Sequence, residues 1–210
     1  MNDLSLSQAI EALLVERNPR NMQRARAALV PGYFLRAAQH LRGLSGNVLI
    51  GTGFPVADTF ETDGPLGAIA LYDCLQALGA QPLIACGPPL ADALAETYRV
   101  LPLEARDLDA ARAEAAERLG QLNPAAVVSI ERPGPAADGR YYNMRGEDIT
   151  PRCYFFDEFI TQASCPTISI GDGGNEIGMG NIHAAIASLD IHPAVTGCDE
   201  LLVADVSNWG

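Results

Sequence analysis

The residues able to do chemistry concentrate in one short stretch, Gly171-Asp172-Gly173-Gly174-Asn175-Glu176, directly behind the apolar run "PTISI". A glycine-rich turn between strand and helix usually lets backbone N–H groups approach an anion. Here Asp172 and Glu176 would repel a phosphate. Their presence points to a bound cation, to proton transfer, or to a substrate that carries an amine. Counted from Gly171 and Gly173, the third glycine of a dinucleotide fingerprint falls on Glu176, so that reading fails. An EF-hand calcium loop fails too, because the acids do not alternate as it requires.

A second group lies in "GTGFPV" and "ETDGP", which hold Thr52, Gly53, Glu61 and Asp63. Asp63 stands where a helix N-cap would, and can also supply a second carboxylate. A third group, "ERPGPAADGRYYNMRGED", carries Glu131, Arg132, Asn143 and Arg145. A loop of this length in a compact domain is commonly a binding segment. Arg132 and Arg145 suit a substrate carboxylate, which a guanidinium holds through two hydrogen bonds; Arg132 can equally pair with Glu131 or another acid.

Elements that could position these groups follow from the pattern of apolar runs. "NVLIG", "QPLIACG", "AAVVSIE", "PTISIG" and "ELLVAD" lack polar alternation, as buried parallel strands do when helices cover both faces. The expected fold is a three-layer α/β domain with about five mostly parallel strands. Two N-terminal helices within residues 1–45 precede it, the second interrupted at Pro31-Gly32. Helices are expected from Gly64 to Leu78, from Asp107 to Leu119 and from Thr150 to Ala163. Each unusual segment follows a strand's carboxyl end, where open parallel sheets bind ligands, so the turns should share one cleft.

Composition sets the outer bounds. With 210 residues and 48% hydrophobic content, one domain with a full core is expected. The formal charge of −12 leaves no basic footprint for nucleic acid or an anionic membrane. Every basic residue is arginine, so a Schiff-base lysine, a pyridoxal-phosphate anchor and a P-loop lysine are all excluded. Five scattered cysteines and three scattered histidines fit reduced thiols and show no zinc spacing. No basic leader or membrane-length apolar run is visible, which predicts a soluble cytoplasmic protein. Assembly into a homo-oligomer is compatible with the sequence.

Taken together, "GTGFPV", "ETDGPLGAIAL", "SIERPG", "GRYYNMRGEDIT" and above all "IGDGGNEIGMGN" resemble the D-glutamate cyclase family. The resemblance runs from about Val48 to the C-terminus. It implies a hydro-lyase of D-amino-acid metabolism that converts D-glutamate to 5-oxo-D-proline and water. In that chemistry Asp172, Glu176 and Asp63 would exchange protons. Thr52, Gly53, Glu61, Arg132, Asn143, Arg145, Gly173, Gly174 and Asn175 would contact the dicarboxylic amino acid, with glycine N–H groups at its carbonyl. The rival arrangement places magnesium, manganese or calcium on Asp63, Asp172, Asn175 and Glu176, all hard oxygen donors. A metal-dependent enzyme acting on another small carboxylic acid, and a non-catalytic binding module for an acidic metabolite, remain the alternatives. A nucleotide-dependent enzyme is disfavoured by the missing lysine and by Glu176. The sequence stops at "VADVSNWG", where a doubly wound sheet calls for another covering helix, so a chain continuing past Gly210 is expected.

Overall fold

The computed structural model describes residues 2–205. Residues 206–210, to which part of the fifth turn was assigned, lie outside the described residues. Six parallel strands form the main sheet: β1 (Asn47–Thr52), β4 (Gln81–Cys86), β5 (Val100–Pro102), β6 (Ala126–Ile130), β7 (Thr167–Gly171) and β8 (Glu200–Val203). Their spatial order is β5-β4-β1-β6-β7-β8. The chain therefore starts in the middle, winds outward through β4 and β5, and returns across β1 to wind the other way. That reversal opens a crevice between β1 and β6 at their carboxyl ends.

Five strands are the expected ones, and β5 is the addition. It is only three residues long, at the sheet edge, and ends in Pro102, so it carries no apolar run to read. A two-stranded ribbon, β2 (Pro55–Val56) and β3 (Thr59–Phe60), also departs from expectation and folds over the end of β1.

Both sheet faces are covered, which explains the unbroken apolar runs. Val48, Ile50, Ile84 and Val128 point into one core with Ala68, Tyr72 and Leu75 of α4 (Asp63–Ala77). Leu49, Leu83, Ala85 and Val127 point into the other, with Ala115 of α6 (Leu108–Leu122) and Phe159 of α7 (Asp157–Thr161). Helix α4 starts at Asp63 with Thr62 as its N-cap, and Gly79 in left-handed conformation ends it. Asp107 caps α6 by accepting from the Ala110 N–H at 2.9 Å. The segment expected as one helix from Thr150 to Ala163 instead makes a 3-10 turn at Thr150–Arg152 and then the short α7.

The N-terminal part forms three helices rather than two: α1 (Asp3–Leu13), α2 (Met22–Ala27) and α3 (Tyr33–Leu41). The break at Asn18–Asn21 is the expected one; the additional break falls at Pro31-Gly32, where Gly32 is left-handed (φ 96°) and separates α2 from α3. This layer packs beside β8, where Arg36 pairs with Glu200 at 2.6 Å. Asp205 accepts from the Arg17 and Asn18 N–H groups at 2.7 and 2.9 Å. Glu11 is buried inside it and accepts from the Gly32 N–H at 2.9 Å and the Ser7 hydroxyl at 2.7 Å. A carboxylate there meets the positive end of α3 and replaces the missing side-chain cap at Gly32.

Glu11→Ala is therefore expected to cost about 2 kcal/mol by orphaning those donors. Urea denaturation measures it, and an unchanged midpoint would show that the layer is held by packing alone.

Candidate active site

Three strand ends meet at the crevice. Register places Thr52 of β1 beside Ile130 of β6, and Ile130 beside Ile170 of β7, so the residues that follow them emerge side by side. The turn after β6 is stitched to the turn after β7. Gly134 N–H donates to the Asn175 carbonyl at 2.9 Å, and Ile177 N–H donates to the Arg132 carbonyl at 2.9 Å. This lacing brings Glu131 against Glu176. Glu131 also adopts a left-handed backbone (φ 52°), a conformation that glycine would adopt more cheaply. A strained, charged residue at a strand end is a mark of function.

Glu131, Asp172 and Glu176 are buried, and each presents a carboxylate oxygen within 4.8 Å of the others. A cluster of this kind could hold a metal ion. Burial, together with the charges of Asp172 and Glu176, pushes the Glu131 carboxyl well above its ordinary range. Burial first, and then the charge of Asp172, push Glu176 up to about 8, against the opposing hydrogen bonds it accepts from the backbone. Those bonds come from Gly174 N–H at 2.7 Å and Asp172 N–H at 3.3 Å. Asp172 pairs with Arg20, which reaches over from the segment between α1 and α2.

The glycines of the turn have a steric reason. A Cβ at Gly173 would lie 2.7 Å from Met144 Sδ, and one at Gly174 (φ 105°) would lie 2.4 Å from Ile191 Cδ1. The expected part of these glycines as main-chain donors to substrate is reduced, since the Gly174 N–H goes to Glu176 Oε2. Asn175 is buried; its amide N–H donates to the Tyr142 carbonyl at 2.8 Å.

A cleft of about 420 Å³ opens above the carboxyls. Asp172, Glu176, Asn175 and Glu131 form part of its lining, and Glu61, Asn143, Arg145 and Arg152 stand around them. Arg145 is exposed, while Asn143 is occupied in shaping its own loop, accepting from the Arg145 and Glu147 N–H groups. Asp63 stands to the side, at the start of α4, and shares with Glu131 the lining of a separate, mostly apolar pocket. Asp63 is not among the three carboxyls that cluster, whereas Asn175 lines the same cleft as they do.

Arg132 is placed away from the acidic cleft. Its guanidinium donates to the Thr52 and Gly53 carbonyls at 3.0 and 3.1 Å and to the Tyr154 carbonyl. It is buried, pairs with no carboxylate among the described residues, and lines an adjoining pocket of about 260 Å³ with Gly53. Thr52 and Gly53 thus serve the site through the carbonyls that anchor Arg132. Sequence reasoning missed Glu131 and Arg20 as members of the cluster. The position of Glu131, level with Asp172 at the end of a neighbouring strand, was the available signal. For Arg20 there was none.

In chelator-treated protein the folded state keeps a proton on Glu176 from pH 4.5 to about 8, where the unfolded chain has released it. Stability should therefore fall as pH rises through that window, by up to about 1.4 kcal/mol per pH unit for this group, and level off above it. Urea melts of parent and Glu176→Gln protein across the window check this. The variant should lose that part of the slope, and parallel curves would refute a buried neutral Glu176.

The described residues contain no helix long and apolar enough to cross a membrane, and all five cysteines are free. A family model described as "D-glutamate cyclase-like, C-terminal" matches residues 10–210. Human "D-glutamate cyclase, mitochondrial" is 35% identical over 191 residues, which cover 78% of this chain and 31% of the human protein. The chain thus spans about a third of that relative's length. With the "IGDGGNEIGMGN" turn inside the matched region, the chain belongs to the D-glutamate cyclase-like family.

Proposed function

We propose that the acidic cleft is a hydro-lyase site that closes D-glutamate to 5-oxo-D-proline with loss of water. The carrying observation is the cluster of three buried carboxyls with oxygens within 4.8 Å of one another, in which burial and the charge of Asp172 push Glu176 up to about 8. The human relative's name, D-glutamate cyclase, supports the same reaction.

Ring closure joins the α-amine of glutamate to its γ-carboxyl carbon. One C–N bond forms and one C–O bond breaks. The ammonium gives up two protons, and both end on the departing oxygen as water, so no net proton is consumed. Asp172, already facing the cation of Arg20, receives the substrate ammonium and takes its proton. Glu176 donates to the γ-carboxyl oxygen that leaves, and a donor whose pKa lies near the working pH is effective in that role. Glu131 is the third carboxyl of the cluster and relays protons between them. Arg145 at the mouth holds the substrate's α-carboxylate, with Arg152 beside it. Arg132, Thr52 and Gly53 fix the floor of the site. Glu61 lies at the rim and Asp63 behind Glu131, where their charges act on the cluster from a distance. Hard divalent cations such as magnesium, manganese or calcium match the same oxygen donors; with one held there, Glu176 would be a ligand instead of the proton donor, and the ion would polarise the γ-carboxyl in its place. A cytoplasmic location remains part of this proposal, as free thiols fit a reducing compartment.

The test is incubation of the full-length protein with D-glutamate and with L-glutamate, followed by chiral detection of 5-oxoproline. Only the D-substrate should yield product, and ligand affinity without turnover would favour a binding module instead. Asp172→Asn and Glu176→Gln should each lower turnover by roughly two to four orders of magnitude while the fold persists. Arg145→Lys should raise KM with little change in kcat, because the bidentate fork is lost though the charge is kept. Unchanged KM would reject that role for Arg145.

A further inference from the structure

Three buried carboxyls with oxygens within 4.8 Å of one another can be reconciled by protons or by a cation. A buried oxygen beside them favours the cation. Asn175 is 2% exposed, and its amide N–H group is fixed on the Tyr142 carbonyl, which leaves its Oδ1 turned the other way. That Oδ1 is buried and has no hydrogen-bond partner. A Cβ built on Gly173 would lie 2.9 Å from Asn175 Oδ1 and 3.0 Å from Glu176 Oε1, so the two oxygens face one small space. Buried carbonyl oxygens seldom go unsatisfied unless something absent from the protein itself completes them. A protonated carboxyl does not complete this one, since neither Glu176 nor Asp172 hydrogen-bonds to it.

We propose that Glu131, Asp172, Glu176 and the amide oxygen of Asn175 bind one divalent cation of the magnesium or manganese class, and that Arg20 competes with it for Asp172. The donor set is oxygen only, without the nitrogen or sulfur ligands that select zinc. Arg20 supplies a single tethered charge at one edge of the cluster, and its side chain is about one-third exposed, so it can swing outward when a doubly charged ion arrives. The site is defined by its own oxygens and does not depend on which carboxylic acid the cleft turns over.

The probe is manganous ion, titrated into chelator-stripped protein and followed by calorimetry and by loss of the free-ion electron paramagnetic resonance signal. One ion should bind per chain. Glu131→Gln and Glu176→Gln should each weaken binding by at least about tenfold, and Asn175→Ala by several-fold. Arg20→Gln should tighten it several-fold. It alters a partly exposed side chain, so it reports even if a buried variant fails to fold, which circular dichroism would reveal. Absence of saturable binding to folded parent protein up to millimolar manganese would overturn the site. So would equal affinity in folded Glu176→Gln protein. Unchanged or weaker binding in Arg20→Gln protein would overturn the competition. None of these readouts requires turnover, so a failure here is distinguishable from a failure of the D-glutamate reaction.

Discussion

Everything near the crevice answers to the cost of holding Glu131, Asp172 and Glu176 together out of water. Removing one carboxylate from water costs several kcal/mol, and like charges in contact add to it. The chain responds with partial remedies. Glu176 accepts two backbone N–H groups, Asp172 has Arg20, and Glu131 rises well above its usual carboxylate range. A protein with no use for such a cluster would be more stable without it. It lies at the topological switch point, where a doubly wound sheet offers a crevice for a ligand.

The surrounding architecture holds the carboxyls at a fixed separation. Strand register aligns the ends of β1, β6 and β7, and the lacing of the two acidic turns removes the freedom that register alone would leave. The Arg132 side chain ties the β1 end to the segment before α7, donating to carbonyls of both. Its positive charge is buried beside an adjoining pocket, outside the acidic cleft. That placement lets it stiffen the floor without neutralising the acids, which a salt bridge to Glu131 would have done.

Much of this was legible in the sequence, and the failures have physical causes. Strands covered on both faces write continuous apolar runs, so five of the six were readable, whereas Val100–Pro102 is too short to write one. Asp172 and Glu176 stood out because a glycine turn has no steric need for acids. Glu131 looked like an ion-pair partner of Arg132, since adjacent opposite charges suggest pairing. In the structure the left-handed backbone at Glu131 turns the two side chains to different surroundings. A sequence also cannot tell whether an arginine fork will meet a carboxylate or three main-chain carbonyls, which is why Arg132 appeared to be a substrate contact. Arg20 carried no local signal because its role is created entirely by tertiary packing.

The Arg20–Asp172 pair joins residues 152 positions apart. Closing a loop of that length is entropically expensive, and contacts of large sequence separation slow the search for the native state. During synthesis the arginine is made long before its acid, and the intervening chain supplies five of the six strands of the main sheet. The acids of the cleft thus depend on contacts that span most of the sheet, and no local segment can assemble the cleft by itself.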